Sequence, residues 1–389
     1  MDKPPVRTIT LGIAERHPLA PDRIERAAPA ARRAETGYRD AGYEVQTLRL
    51  STRPVFDDLA GWPPAEIVSY AHTLQTVLDD LGIAFCSLGP APAARPDFPL
   101  DRLEPIADLL VGAEALNCTV QLADPEHGIR ADAALPAARV MLRLAEGTKE
   151  GFGNFRFAAL ACVEPGGPFF PAAYHRGAAS LTIGLQGAGI VAEALRGGTQ
   201  LEPAEITRRV RDALTAEATP AVRLGQQVAE RLGLRFGGID LSPAPAGEDS
   251  IAAAMERCGI GQIGSPGTLT VAAALTGALH GTDLPTCGYN GLMLPVLEDA
   301  TLGRRWEQGH VDVHDLLCYS AVCGTGLDTI PLPGDSSPDE IARLLLDVAT
   351  LAVRLRKPLS ARLFPVPGKL TGERTAFTSP YLTNTCVKW

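Results

Sequence analysis

Short apolar runs alternate with helix-length segments along almost the whole chain. "VRTITLGI" (6–13), "YEVQTLRL" (43–50), "IAFCSLG" (83–89), "FRFAALACV" (155–163), "SLTIGLQ" (180–186), "RFGGIDLS" (235–242), "LDTIPLP" (327–333) and "SARLFPV" (360–366) read as strands. Helices fit between them. "PPAEIVSYAHTLQTVLDDLG" (63–82) opens on proline and stops at glycine, and 202–233 carries an apolar stripe that passes Pro220. The segment 337–358 begins with Ser337, Pro338 and Glu340, which supply an N-cap, a first-turn proline and a capping-box acid. Alternation of this kind predicts an α/β fold with a largely parallel sheet.

The chain has 389 residues, 46% of them hydrophobic, enough for one large domain over residues 1–389. A net charge of −9 with no long basic run argues against a nucleic-acid partner. The first residues, "MDKPPVRTITLGIAERHP", lack an apolar signal core, and no apolar run reaches membrane-spanning length. A cytoplasmic protein without membrane contact is expected. The eight cysteines are scattered with no C-x-x-C pair, a pattern of reduced thiols rather than of a disulfide frame or a structural zinc site.

In α/β folds ligands meet the protein at the carboxyl ends of strands, so the loops there hold the candidate site residues. In "EPGGPFFPAAYHRG" (164–177), His175 is either a hydrogen-bonded core residue or an acid–base group. "GLQGAGIV" (184–191) reads as a tight strand-to-helix turn and lacks the full dinucleotide fingerprint. In 238–250, Asp240 and Ser242 close a strand, and Asp249 and Ser250 open a helix with Asp249 as its N-cap. Asp240, Glu248 and Asp249 are also the kind of acids that ligate calcium or magnesium, although their spacing matches no known cation loop. Tyr289 and Asn290 lie between glycines, either as a turn or at a ligand's edge, while Glu298 and Asp299 read as the start of a helix. In "CYSAVCGTGLD" (318–328), Cys318 belongs to a helix and is expected to be buried. Cys323 sits where the helix gives way to glycines, as a thiol on a loop or as an inert stop.

Taken in order, "PFFPAAYHRG", "LTIGLQGAGIV", "RLGLRFGGIDLSPAP" with "EDS", "IGSPGT", "GLMLPVLED", "CGTGLDTIPLPGD" and "RLFPVPGK" resemble domain-of-unknown-function family 711, also called uncharacterised protein family 0210. The resemblance runs from "VRTITLGI" to "FPVPGKLTGE". It implies a fold similar to the glycyl radical enzymes of the pyruvate formate-lyase type, a ten-stranded α/β barrel of two five-stranded half-sheets. It also implies that "AVCGTGLD" is the loop presenting a cysteine, Cys323, to the barrel interior. The radical-glycine motif of those enzymes has no counterpart here, so no glycyl radical is expected.

The resulting expectation is an enzyme acting on a small polar or carboxylated metabolite inside the barrel, lyase-like or hydrolytic. Cys323 would be nucleophile or acid–base thiol, His175 its proton-transfer partner, and Asp328 an orienting acid. Asp240, Ser242, Asp249, Ser250, Tyr289, Asn290 and Lys369 would contact substrate, with Lys369 supplying positive charge. The alternatives are a metabolite-binding or regulatory protein on the same fold, and a divalent-cation enzyme built on the 238–250 acids. A homodimer is expected on general grounds.

Overall fold

The computed structural model describes residues 3–198, 200–247 and 249–389. Its strands are β1 (Val6–Gly12), β2 (Val45–Ser51), β3 (Cys86–Ala91), β4 (Leu116–Asp124), β5 (Gly128–Ile129), β6 (Phe157–Ala161), β7 (Ser180–Leu185), β8 (Arg235–Asp240), β9 (Gly326–Pro333) and β10 (Leu359–Val366). The α-helices are α1 (Pro21–Asp40), α2 (Val55–Asp58), α3 (Pro64–Asp80), α4 (Pro105–Val111), α5 (Ala134–Gly147) and α6 (Ala188–Ala194), followed by α7 (Pro203–Leu232), α8 (Ile251–Met255), α9 (Thr268–His280), α10 (Ala300–Glu307), α11 (Val313–Ser320) and α12 (Pro338–Leu355).

All ten strands join one mixed sheet in the order β8-β7-β1-β2-β3-β4-β6-β10-β9, with β5 attached to the end of β4. β1, β2, β3, β4 and β6 run parallel to one another. The pairs β7–β8 and β9–β10 are each parallel within themselves. Antiparallel joints at β1–β7 and β6–β10 attach these pairs to the two sides of the parallel five. Among the described residues no ladder joins β8 to β9. One irregular segment touches both: Thr286 bridges to Ile239 of β8, and Pro295 bridges to Asp328 of β9, each in parallel sense.

Strands β3, β6, β7, β9 and β10 are buried at every residue. A sheet covered on both faces can take apolar residues at consecutive positions, as in the continuous run of β6. β4 departs from that pattern. Asn117, Thr119 and Gln121 alternate with Leu116, Cys118, Val120 and Leu122, yet all are buried. This strand is not among those read from the sequence.

The helix signals translate directly. Ser337 caps α12: its hydroxyl accepts from the Glu340 N–H at 3.2 Å, while the Glu340 carboxylate accepts from the Ser337 N–H at 3.0 Å. α7 continues through Pro220 and ends at Gly233, whose φ of 67° is the left-handed stop that glycine takes most easily. α11 has its own capping box from Asp312 and Asp315. Two expectations are corrected. Cys318 is exposed rather than buried, whereas Cys323 is buried. The N-cap of α8 is Ser250, one residue beyond Asp249, and its hydroxyl accepts from the Ala253 N–H at 2.9 Å. Among the described residues no helix is long and apolar enough to cross a membrane.

Candidate functional site

A cavity of about 360 Å³ lies against β1, β2, β4, β9 and β10, in the range of small-molecule sites. Arg7, Thr47, Arg49, Asn117, Asp328, Ser360 and Arg362 reach it from these strands. Several share a strand at two-residue spacing, as period-two geometry requires for one face.

Two carboxylates and two guanidiniums form a chain along its wall. Asp328 accepts from Arg362 Nε at 2.6 Å. Arg362 Nη2 donates to Glu298 at 2.5 Å, and Glu298 also meets Arg7 Nη2 at 3.4 Å. Arg7 Nη1 is held by Gln186 Oε1 and the Pro245 carbonyl, both at 3.0 Å. The glycine-rich turn 184–191 therefore orients a wall residue through Gln186. Burial pushes the Glu298 carboxyl above its ordinary value, against the pull of Arg362 and Arg7. Burial also lowers Arg7. The paired carboxylates hold Arg362 above the usual arginine value.

A backbone irregularity sets the Asp328–Arg362 pair. Ala361 pairs with Leu327 and Leu363 with Ile330, so Arg362 stands opposite two residues, Asp328 and Thr329. That is a β-bulge. Thr329 takes φ of 45°, a conformation costing about 1–3 kcal/mol for a non-glycine residue. The strain sits beside the acid that the bulge places at the cavity.

Arg49 differs from the other two arginines. It lies between the rings of Phe85 and Phe170, at 5.3 and 5.2 Å from their centroids, and is 9% exposed. Its Nε donates to Thr47 Oγ1 at 3.0 Å. Among the described residues, no carboxylate pairs with Arg49 and its terminal nitrogens have no hydrogen-bond partner. Burial, followed by the charge of Arg7, pulls its pKa down to about 9. Two ring faces contribute about 1–2 kcal/mol each, less than the several kcal/mol that an unpaired buried charge costs.

Tyr289 closes the cavity and also borders a neighbouring space of about 190 Å³ lined by Asp240. Its hydroxyl is buried beside Ser360, and burial raises it well above the usual tyrosine value. The loop carrying it hangs on Asp240. That carboxylate accepts from the N–H groups of Ser242 (2.9 Å), Tyr289 (2.8 Å) and Asn290 (3.2 Å) and from the Ser242 hydroxyl (2.6 Å). Full burial raises the Asp240 carboxyl despite these four donors. Asn290 Oδ1 accepts from the Leu241 N–H at 3.0 Å, and Ser242 Oγ accepts from the Gly291 N–H at 3.0 Å. A Cβ on Gly288 would stand 2.2 Å from Asp240, so only glycine permits this approach. Asp240, Ser242 and Asn290 thus position Tyr289; of the four, Tyr289 alone borders the larger cavity.

The remaining predicted residues lie elsewhere. Cys323 does not line the cavity; it is 2% exposed within the apolar core, and burial pushes its thiol up to about 11. Lys357 donates to its carbonyl, not to its sulfur. The glycine after it, Gly324, crosses Gly291 so closely that a Cβ on either would lie about 2 Å from the other's Cα. The "CGTG" motif is explained by that backbone crossing. His175 packs on Gly12, where a Cβ would stand 2.1 Å from its ring, and its Nε2 meets the Ala178 carbonyl at 3.1 Å. Burial lowers its pKa. Its N–H donates to the Thr52 carbonyl at 2.9 Å, and His17 Nε2 meets the Thr52 hydroxyl at 2.9 Å. Asp249 is exposed beside Gly189. Ser250 donates to Asp299 at 2.6 Å, and Asp299 caps α10 as expected. Lys369 is half-buried away from the cavity. Glu248 lies outside the described residues, and among those described no group of three histidine, cysteine or acidic side chains could hold a metal ion.

The family described as "Uncharacterised ACR (DUF711)" matches residues 1–379. This chain belongs to that family. It is 33% identical over 352 residues to a UPF0210 protein of Pyrobaculum aerophilum, covering 85% of this chain and 76% of that protein. A UPF0210 protein of Pyrobaculum islandicum is 32% identical over 368 residues, covering 90% of this chain and 79% of the relative. One from Desulforudis audaxviator is 29% identical over 397 residues, covering 96% and 88%.

Sequence reasoning missed Arg7, Arg49, Arg362 and Glu298. For the arginines, charged residues inside strands that otherwise read as buried were the available signal: "TLRL" and "SARLFPV" each put an arginine among apolar neighbours, where it needs a polar partner or a cavity.

Proposed function

We propose that this member of the family is an enzyme whose substrate, a small carboxylated metabolite, binds in the 360 Å³ cavity with its carboxylate on Arg49. The observation that carries this reading is a buried guanidinium held between two aromatic rings with no carboxylate of its own. Arginine recognises carboxylates through paired N–H donors, and a pre-desolvated arginine strengthens that contact. The chemistry is lyase-like or hydrolytic and uses no glycyl radical. Glu298, pushed up by burial, is the group suited to move a proton, and Asp328 holds Arg362 in place. Cys323 is not given the nucleophile's role, because a thiol held near 11 in apolar surroundings is protonated at neutral pH.

The enclosing architecture we infer is a barrel similar to that of the pyruvate formate-lyase type. The parallel five form one half. β7, β8, the segment 285–297, β9 and β10 form the other, with 285–297 acting as the irregular strand between β8 and β9. A non-catalytic metabolite-binding protein is the second reading, favoured by the position of the thiol away from the cavity. A thermal-shift screen of small carboxylates against the full chain and Arg49→Gln tests the main reading. Stabilisation that disappears in the variant is expected; stabilisation unchanged in the variant refutes the Arg49 assignment. Turnover of a stabilising carboxylate then separates enzyme from binder.

A further inference from the structure

The charges facing the cavity are few enough to balance. Arg7, Arg49 and Arg362 bring three positive charges, and Glu298 and Asp328 bring two negative ones. Arg7 and Arg362 are committed to those two carboxylates, leaving Arg49 as the single uncompensated cation among the described residues. A buried site tolerates an unbalanced charge poorly, because desolvation of the surplus outweighs what the attraction returns. One negative charge neutralises this cavity; a second would have to break into the Arg7–Glu298–Arg362–Asp328 chain.

Beyond the charged wall the lining is apolar and shaped by small residues. Phe169, Met293 and the ring of Tyr289 pack together on one side. Ala158 and Ala172 leave open space beside them. Phe85 and Phe170 continue this surface around the Arg49 guanidinium itself. Such a lobe removes apolar ligand surface from water at roughly 25 cal/mol per Å² and offers planar groups aromatic faces to pack on.

From this juxtaposition we infer that the ligand is a monocarboxylate with a flat apolar body. Its single carboxylate rests on Arg49, and its body fills the lobe between Phe169, Met293 and the two alanines, with the ring of Tyr289 at its border. The inference rests on the proposed carboxylate site and goes further by excluding dicarboxylates and phosphate dianions as preferred ligands.

Calorimetric titration of the full chain at pH 7 with benzoate, acetate, succinate and inorganic phosphate tests it. Benzoate should bind at least tenfold more tightly than each of the others. Arg49→Gln should weaken benzoate at least tenfold, with partial rescue in Arg49→Lys. Ala158→Leu, which fills the lobe without touching a charge, should weaken benzoate and leave acetate unchanged; it is also the control if Arg49→Gln fails to fold. Succinate or phosphate binding more tightly than benzoate, still dependent on Arg49, overturns the substrate class and leaves the carboxylate site standing. Binding indifferent to both Arg49 and Ala158, or no benzoate binding at concentrations of about 10 mM, overturns both.

Discussion

Two polar regions sit close together along β2 and treat charge in opposite ways. At Arg49, inside the strand, the cavity wall pairs its carboxylates with Arg7 and Arg362 and, among the described residues, leaves Arg49 without one. At Thr52, just past the strand, His17 and His175 converge and are buried as neutral rings. Cys323, the other half of the expected thiol–imidazole pair, is likewise held neutral by burial. Glycines and reactive residue types mark the second region in sequence, yet the first has the unsatisfied electrostatics that a ligand can complete. A site is defined by what its surroundings leave unpaired, more than by the reactivity of its side chains in isolation.

The comparison breaks most decisively at Arg362. Arg362→Leu strands Asp328 and Glu298 without their shared partner, and a loss of about 3–5 kcal/mol in unfolding free energy is expected from urea denaturation. A loss under about 1 kcal/mol would mean that the wall is not held by charge. The next effect is a pH dependence from the neutral region. Burial lowers His17 from 6.5 to about 4. The unfolded chain therefore binds the proton first, so the stability from this ring is complete above 6.5 and lost as pH falls toward 4. At about 1.4 kcal/mol per pKa unit this amounts to roughly 3 kcal/mol. Denaturation midpoints across that window should fall, and His17→Gln should flatten the slope; an equal slope in the variant assigns it to other groups.

Cys323→Ala should cost only about 1–2 kcal/mol through lost packing and leave benzoate affinity unchanged. Iodoacetamide in the folded protein should modify the exposed Cys318 and spare Cys323, read by peptide mass. Rapid labelling of Cys323 at neutral pH would return the thiol to the mechanism. The smallest effect is expected at Lys369, half-buried away from the cavity. Lys369→Ala should change stability by less than about 0.5 kcal/mol and leave carboxylate binding intact.

The α/β class, most strands and the caps of α12 were legible because each rests on local signals: apolar runs, turn residues and capping residues within a few positions. Ser337 with Glu340 needs no tertiary context. Two of the four acceptor bonds of Asp240 were not legible, since Tyr289 and Asn290 reach it across some fifty residues. The role of "CGTG" was hidden for the same reason, because Gly324 answers to Gly291 on another segment. Arg49 and Arg362 were hidden by their own strands, whose apolar neighbours announce burial and whose arginines make sense only once a cavity is present.

The most direct test is a crystal structure of the full chain with benzoate bound. The account predicts the carboxylate within about 2.7–2.9 Å of both terminal nitrogens of Arg49, with the ring between the Phe169–Met293 side and Ala158 and Ala172, and with the Arg362 pairs unchanged. A carboxylate bound to Lys369 or to Arg362 in place of Asp328, with Arg49 still unpaired, would contradict it.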